Sequence, residues 1–145
     1  MRSIVAALLS LMTCAGPSGG SPEGAWQSDR DRTLAELRDV ANMTDAQWRA
    51  LSSPEVFGNM VHVLQGGKAV TVFDGECSAP VAYQLDAASS KIRLAGSPVA
   101  ATLDGDRLYV PIARLPGNAR ETFSRADLAA TLRRHPCLRE FVSAR

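Results

Sequence analysis

The chain reads as an α+β protein: two N-terminal helices, an antiparallel meander sheet that is curved or closed into a small barrel, and a C-terminal helix. Three observations predict this. Short β-rich runs recur from Met60 onward with turn residues between them, a spacing that parallel βαβ folds do not show. Apolar residues at helical spacing are confined to the segments before Phe57 and after Ser124. A meander this long must also hide its edges and one apolar face, either by curling into a barrel or by taking helices over one side.

The elements follow in order. Gly24-Ala25-Trp26 opens the ordered part, and Ser28-Asp29-Arg30-Asp31 reads as a helix start. Ser28 serves as the cap, and Asp29 and Asp31 suit the positive end of the helix dipole. Leu34, Leu37 and Ala41 continue at helical spacing. Thr44 with Gln47 three residues on is a capping-box pattern for a second helix, with Trp48 and Leu51 on its buried face and Ser53-Pro54 at its end. Both tryptophans, Trp26 and Trp48, are read as core.

Strands are expected at Met60–Gln65 and Lys68–Asp74, separated by the two-residue hairpin signal Gly66-Gly67. Val81–Leu85 and Lys91–Leu94 follow, joined by polar residues 87–90. Val99–Leu103 and Arg107–Ile112 flank the turn cluster Asp104-Gly105-Asp106, and Arg120–Phe123 adds a last short strand. Ser124 or Asp127 then caps a helix with Leu128 and Leu132 on one face, and Pro136 starts a final turn bearing Cys137, Leu138 and Phe141.

The N-terminus carries an address. Arg2, an apolar run over residues 4–12 and a small-residue exit have the layout of an export signal. The run is shorter than the roughly 20 residues of a bilayer-spanning helix. Leu11-Met12-Thr13-Cys14 resembles the lipobox of bacterial lipoproteins, with Leu11 three places before Cys14 and Thr13 where that pattern usually has Gly, Ala or Ser. The resemblance implies a signal peptide over 1–14, lipidation of Cys14 with acyl chains such as palmitate, and anchorage in the cell envelope. Ala15 after that cysteine, in place of Asp, implies the outer membrane, with the domain facing the periplasm. The competing reading is ordinary cleavage after Ala15 and secretion to the periplasm. Residues 15–24, rich in Gly, Ser and Pro, are a flexible tether, and 25–145 form the single folded domain.

Cysteine arithmetic points the same way. The three cysteines are Cys14, Cys77 and Cys137. With Cys14 given to lipid or lost with the signal, Cys77 and Cys137 remain and pair in an oxidising compartment. Without Arg2, basic and acidic side chains are equal in number and no long run of either sign occurs. That excludes the basic stripe of nucleic-acid binders and the polybasic cluster of anionic-membrane binders.

Gly24-x-Trp26 ahead of an up-and-down meander is similar to the start of a lipocalin-type, calycin-like barrel. The family's later Thr-Asp-Tyr motif is absent, and two helices stand where that family runs directly into strands. The resemblance implies a cup for a small apolar or amphiphilic ligand, with Trp26 packed at the barrel base.

Chemistry is sparse. His62 and His135 are the only histidines, and neither has a nucleophile in a Gly-x-Ser-x-Gly setting to serve. His62 lies in a strand on the face of Met60 and Leu64; His135 sits at a helix boundary, where a cation suits the negative end. A Cys77–His62 dyad requires a free thiol, which pairing with Cys137 removes. Zinc spacing is missing, and Asp104-Gly105-Asp106 lacks the rest of a calcium loop. The expectation is therefore a protein with no enzyme activity, cofactor or metal. It binds a small apolar ligand, or else an envelope protein as a periplasmic inhibitor or immunity module. Tyr83 and Tyr109 are the better candidates for contact with something outside the chain, with core packing and a satisfied hydroxyl the preferred reading for each.

Overall fold

Among the described residues, every strand but one short piece joins a ring. The computed structural model describes residues 20–144 apart from 41 and 116. The expected signal over 1–14, Cys14 with its lipobox-like segment, and the first half of the tether lie outside the described residues.

The strands are β1 (Gly24–Ser28), β2 (Val61–Gln65), β3 (Lys68–Phe73), β4 (Glu76–Cys77), β5 (Val81–Asp86), β6 (Lys91–Leu94), β7 (Ala100–Asp104), β8 (Arg107–Pro111) and β9 (Arg120–Ala126). Neighbours in sequence are neighbours in space from β1 to β3 and from β5 to β9, all antiparallel. Pairing of β1 with β9 closes the ring, with Trp26 opposite Arg125 and Ser28 opposite Phe123. The result is an eight-stranded, up-and-down, lipocalin-like barrel. β4 and β5 are one strand interrupted at 78–80: both pair with β3, through Val72↔Cys77 and Ala69↔Val81. Pro80, which has no N–H to donate to a ladder, sits in that interruption.

The tight turns behave as the residues demand. Gly66 and Gly67 both take positive φ, 58° and 77°, so β2 and β3 join through the loop type whose twist matches the strands. Gly105, at φ 60°, opens the β7–β8 turn.

One part of the expected order is corrected. Gly24–Ser28 is a strand, and the helices follow it instead of leading into the sheet. Ser28 is not a helix cap: Asp29 caps α1 (Arg30–Arg38) by accepting from the Arg32 N–H. The Ser28 hydroxyl instead accepts from the Gly58 N–H and donates to Glu121, tying the end of β1 to both β9 and the approach to β2. The helix stops before Ala41, which is itself not described. Thr44 and Gln47 form the expected capping box on α2 (Asp45–Leu51). No residue of α2 is fully buried; Trp48 and Leu51 are half-covered in a small satellite cluster with Leu37, Phe57 and Ala119.

The first turn of α1 is pinned to the outside of β9: the Thr122 N–H donates to the Thr33 hydroxyl at 3.0 Å and the Asp29 N–H to the Thr122 carbonyl at 2.8 Å. Over the outer face of β1, β2 and β3 lie α3 (Leu128–Arg134, capped by Asp127) and α4 (Leu138–Ser143). Leu128, Leu132, Leu138, Phe141 and Val142 pack there on Ala25, Val61, Val63, Val70 and Val72. That explains the unbroken apolar character of Val61 to Leu64: with a helix layer outside and the barrel core inside, both faces of β2 are buried. Cys77 and Cys137 form a disulfide, Cα–Cα 6.0 Å, that fastens the start of α4 to this wall.

Candidate functional site

The interior of the barrel is set by strand alternation. Trp26 faces His62 across β1–β2, His62 faces Thr71 across β2–β3, and Leu108 faces Phe123 across β8–β9. Trp26, Leu64, Ala69, Ile92, Leu103, Leu108 and Phe123 form the buried core. One end is plugged by Trp26. Its indole N–H donates to the Pro22 carbonyl at 2.9 Å, and the Arg125 guanidinium lies 4.2 Å from its ring. Arg125 also donates to the carbonyls of Glu23 and Ser21, so the entering chain is laced across this end.

Above the plug the filling is incomplete. A cavity of about 60 Å³ remains between Leu64, Ile92, Leu94, Ala101, Leu108 and Val110. Ser97 and Val99 border it from the β6–β7 connection, and the ring of His62 supplies its ionisable wall. The neighbours of that ring hold it firmly. Nδ1 is 2.8 Å from the Thr71 hydroxyl, and the Phe123 ring centroid is 4.7 Å from that of the imidazole. Burial pushes the His62 pKa down to about 4, because a charged imidazole has lost water and gained no counter-charge. His62 is therefore a neutral imidazole at neutral pH, able to donate from one nitrogen and accept at the other.

A second polar feature lies where β1 meets β9. Glu121 is half-buried and accepts from the Ser28 hydroxyl at 2.5 Å. Burial raises its pKa, and that hydrogen bond pulls it partly back.

The residues singled out from sequence fall in several places. Cys77 is bonded to Cys137 and belongs to the outer wall, whereas His62 faces inward, so the two form no dyad. His135 ends α3. Asp104 and Asp106 belong to the β7–β8 turn. Tyr109 is buried with the Arg120 guanidinium 3.7 Å over its ring, the packing role preferred for it over outside contact. Tyr83 is half-buried against the barrel core, and its hydroxyl is made harder to ionise by burial and by the nearby Glu23 carboxylate. Among the described residues no three His, Cys, Asp or Glu side chains gather as a metal set. Among the same residues no helix is long and apolar enough to cross a membrane. Thr71, Phe123 and Ala101 were not singled out beforehand. Period-two alternation carries their inward direction, but only closure of the barrel brings them around one space.

A larger open cleft of about 850 Å³ runs outside the barrel, between α4 and the β2–β3 hairpin, past Lys68, Cys77, Pro80, Glu140 and Phe141. Its walls mix polar and apolar residues, Glu23, Lys68 and Glu140 among them. The site and fold define a class: a small closed β-barrel with a narrow apolar cavity and one neutral imidazole. No family model, curated protein or solved structure matches the chain.

Proposed function

We propose that the protein is a non-enzymatic envelope lipoprotein that binds a small apolar or amphiphilic ligand inside its barrel. The single observation that supports this reading is the cavity walled by Leu64, Ile92, Leu94, Ala101, Leu108 and Val110, an almost wholly apolar, partly open space in the barrel. Its size limits the ligand. Carrier pockets for drug-sized molecules run from about 300 Å³ upward. A space of about 60 Å³ takes a very small molecule, or only the tip of a longer one whose remainder stays near Ser97 and Val99. The anchor rests on the lipobox-like Leu11–Cys14 segment. Gly20 to Glu23 run across the Trp26 end, so a tether leaves the barrel there.

Binding is tested by adding short linear alcohols and alkyl halides to the protein and following the methyl NMR signals of Leu94, Val99 and Val110. Shifts that saturate in the wild type and vanish in Ala101→Leu, which fills the space, are the expected result. No shift up to the solubility limit overturns the reading. The anchor is tested by the mass of the exported protein with and without globomycin; a mature chain starting after Ala15 without lipid overturns lipidation.

A second reading is a protein-binding module such as a periplasmic inhibitor or immunity protein. It is favoured by the open cleft beside α4 and by Phe73, which is 47% exposed at the end of β3. Cross-linking from Phe73→Cys in the native envelope tests it, and a failure to trap any protein removes it.

A further inference from the structure

The imidazole of His62 has one nitrogen that the protein itself does not use. Thr71 takes Nδ1, and no described residue is bonded to Nε2. The described buried polar atoms that are sealed off without a partner are Arg30 Nε and Thr122 Oγ1; Nε2 is not one of them, so it keeps open space beside it. The space His62 lines is the apolar cavity under the β6–β7 connection. A strand residue that needed only to pack there would present no polar atom to that space. Phe123 and Thr71 also fix the ring, so little freedom is left to lose when something binds.

We propose that His62 Nε2 is the recognition atom of this cavity and that its ligand is the terminal hydroxyl of an aliphatic alcohol. The inference rests on the ligand-binding reading above and gives it a chemical class. Three features select a hydroxyl. First, a hydroxyl donates and accepts, so it pairs with Nε2 whichever tautomer the Thr71 bond leaves; a carbonyl pairs with only one of them. Second, a carboxylate would bring a full charge into walls of Leu64, Ile92, Leu94 and Val110 opposite an uncharged ring. Third, about 60 Å³ is the share of roughly two water molecules, which fits a hydroxymethyl end and leaves a longer chain outside. Ser97, on the β6–β7 connection, borders the same space and adds a hydroxyl beside the imidazole.

The probes are 1-butanol, 1-chlorobutane as its hydroxyl-free counterpart, and butyrate. Imidazole ¹⁵N signals of the wild-type protein report directly on the ring nitrogens, and the pocket methyls report on occupancy. The expected result is that 1-butanol moves the Nε2 signal while leaving Nδ1 nearly in place. Replacing His62 by Leu should lower the affinity of 1-butanol relative to that of 1-chlorobutane by about three- to tenfold, the worth of one ordinary hydrogen bond, because the hydroxyl then enters the apolar space without a partner. His62→Gln, which keeps a polar end, should restore part of that ratio. An alcohol-to-chloride ratio unchanged in His62→Leu, or an Nε2 signal unmoved by 1-butanol in the wild type, overturns the role of His62 and leaves the cavity as a binding site. Tighter binding of butyrate overturns the neutral hydroxyl. Unmoved pocket methyls with every probe overturn the binding reading itself. Because the ¹⁵N measurement uses the wild type, it stands even if the variants fail to fold.

Discussion

The guanidinium of Arg125 lies 4.2 Å from the ring of Trp26, directly across the β1–β9 seam that closes the barrel. The pair does two things at once. It covers the largest side chain of the core, and it ties the entering strand to the last one through donation to the carbonyls of Glu23 and Ser21.

Arg125→Ala is therefore expected to lower stability by about 1 kcal/mol, combining a cation–π contact with hydrogen bonds at an exposed site. Lysine at the same position should recover little, since it lacks the planar fork that stacks and bonds together. Denaturant unfolding followed by tryptophan emission checks both; an unchanged midpoint in Arg125→Ala removes the closing role.

Acid should weaken the fold through His62. The folded pKa is pushed down to about 4 by burial, against roughly 6.5 in an unfolded chain. Between those values the unfolded chain takes up a proton that the folded chain refuses, so stability falls as pH drops through that window. The loss reaches about 3 kcal/mol below it. Glu121, whose pKa is raised, acts with the opposite sign, so the comparison is wild type against His62→Gln from pH 7 to pH 4. Parallel stability curves for the two proteins would contradict the assignment.

Glu121→Gln should make the protein more stable at neutral pH. A carboxyl whose folded pKa is raised contributes stability at acid pH that is lost as pH rises through the folded value. The amide removes that loss and keeps an oxygen to accept from the Ser28 hydroxyl. A higher thermal midpoint at pH 7, with the gain shrinking toward pH 4, is the expected pattern. A lower midpoint at pH 7 would show that the carboxylate itself is needed.

Opening the Cys77–Cys137 bridge should cost about 2–4 kcal/mol, since it closes a sequence separation of 60 residues. The loss should show first in the outer wall. In Cys77→Ser/Cys137→Ser, hydrogen exchange should quicken in α4 and in β3 next to Cys77 while the Trp26–Arg125 seam stays protected. Uniform loss of protection would mean that the helix layer and the barrel unfold as one unit.

Local signals in this chain were legible wherever the physics is local. Gly66-Gly67 announces a hairpin because only glycine takes two successive positive φ angles without steric cost. Thr44 and Gln47 announce a helix start because their reciprocal bonds span three residues. The strand over Gly24–Ser28 was hidden for the converse reason. Its hydrogen-bond partners are β2 and β9, and the residues just beyond it carry a helix-cap pattern that fits Ser28 locally as well as Asp29, the residue that caps the helix. What holds Tyr109 in its packing role is not local: Arg120, from the neighbouring strand, lies over its ring.

By itself, then, the sequence determined the succession of strands and turns, the apolar alternation that gives each strand an inside, and the two cysteines left to pair. The tertiary structure decided that the sheet closes, that β1 and β9 are its seam, and that His62 faces a space with one nitrogen unused. The division has a physical cause. Propensity, capping and alternation act over a few residues and are written in neighbouring letters. Ring closure and the volume left inside it depend on how side chains from eight strands share one interior.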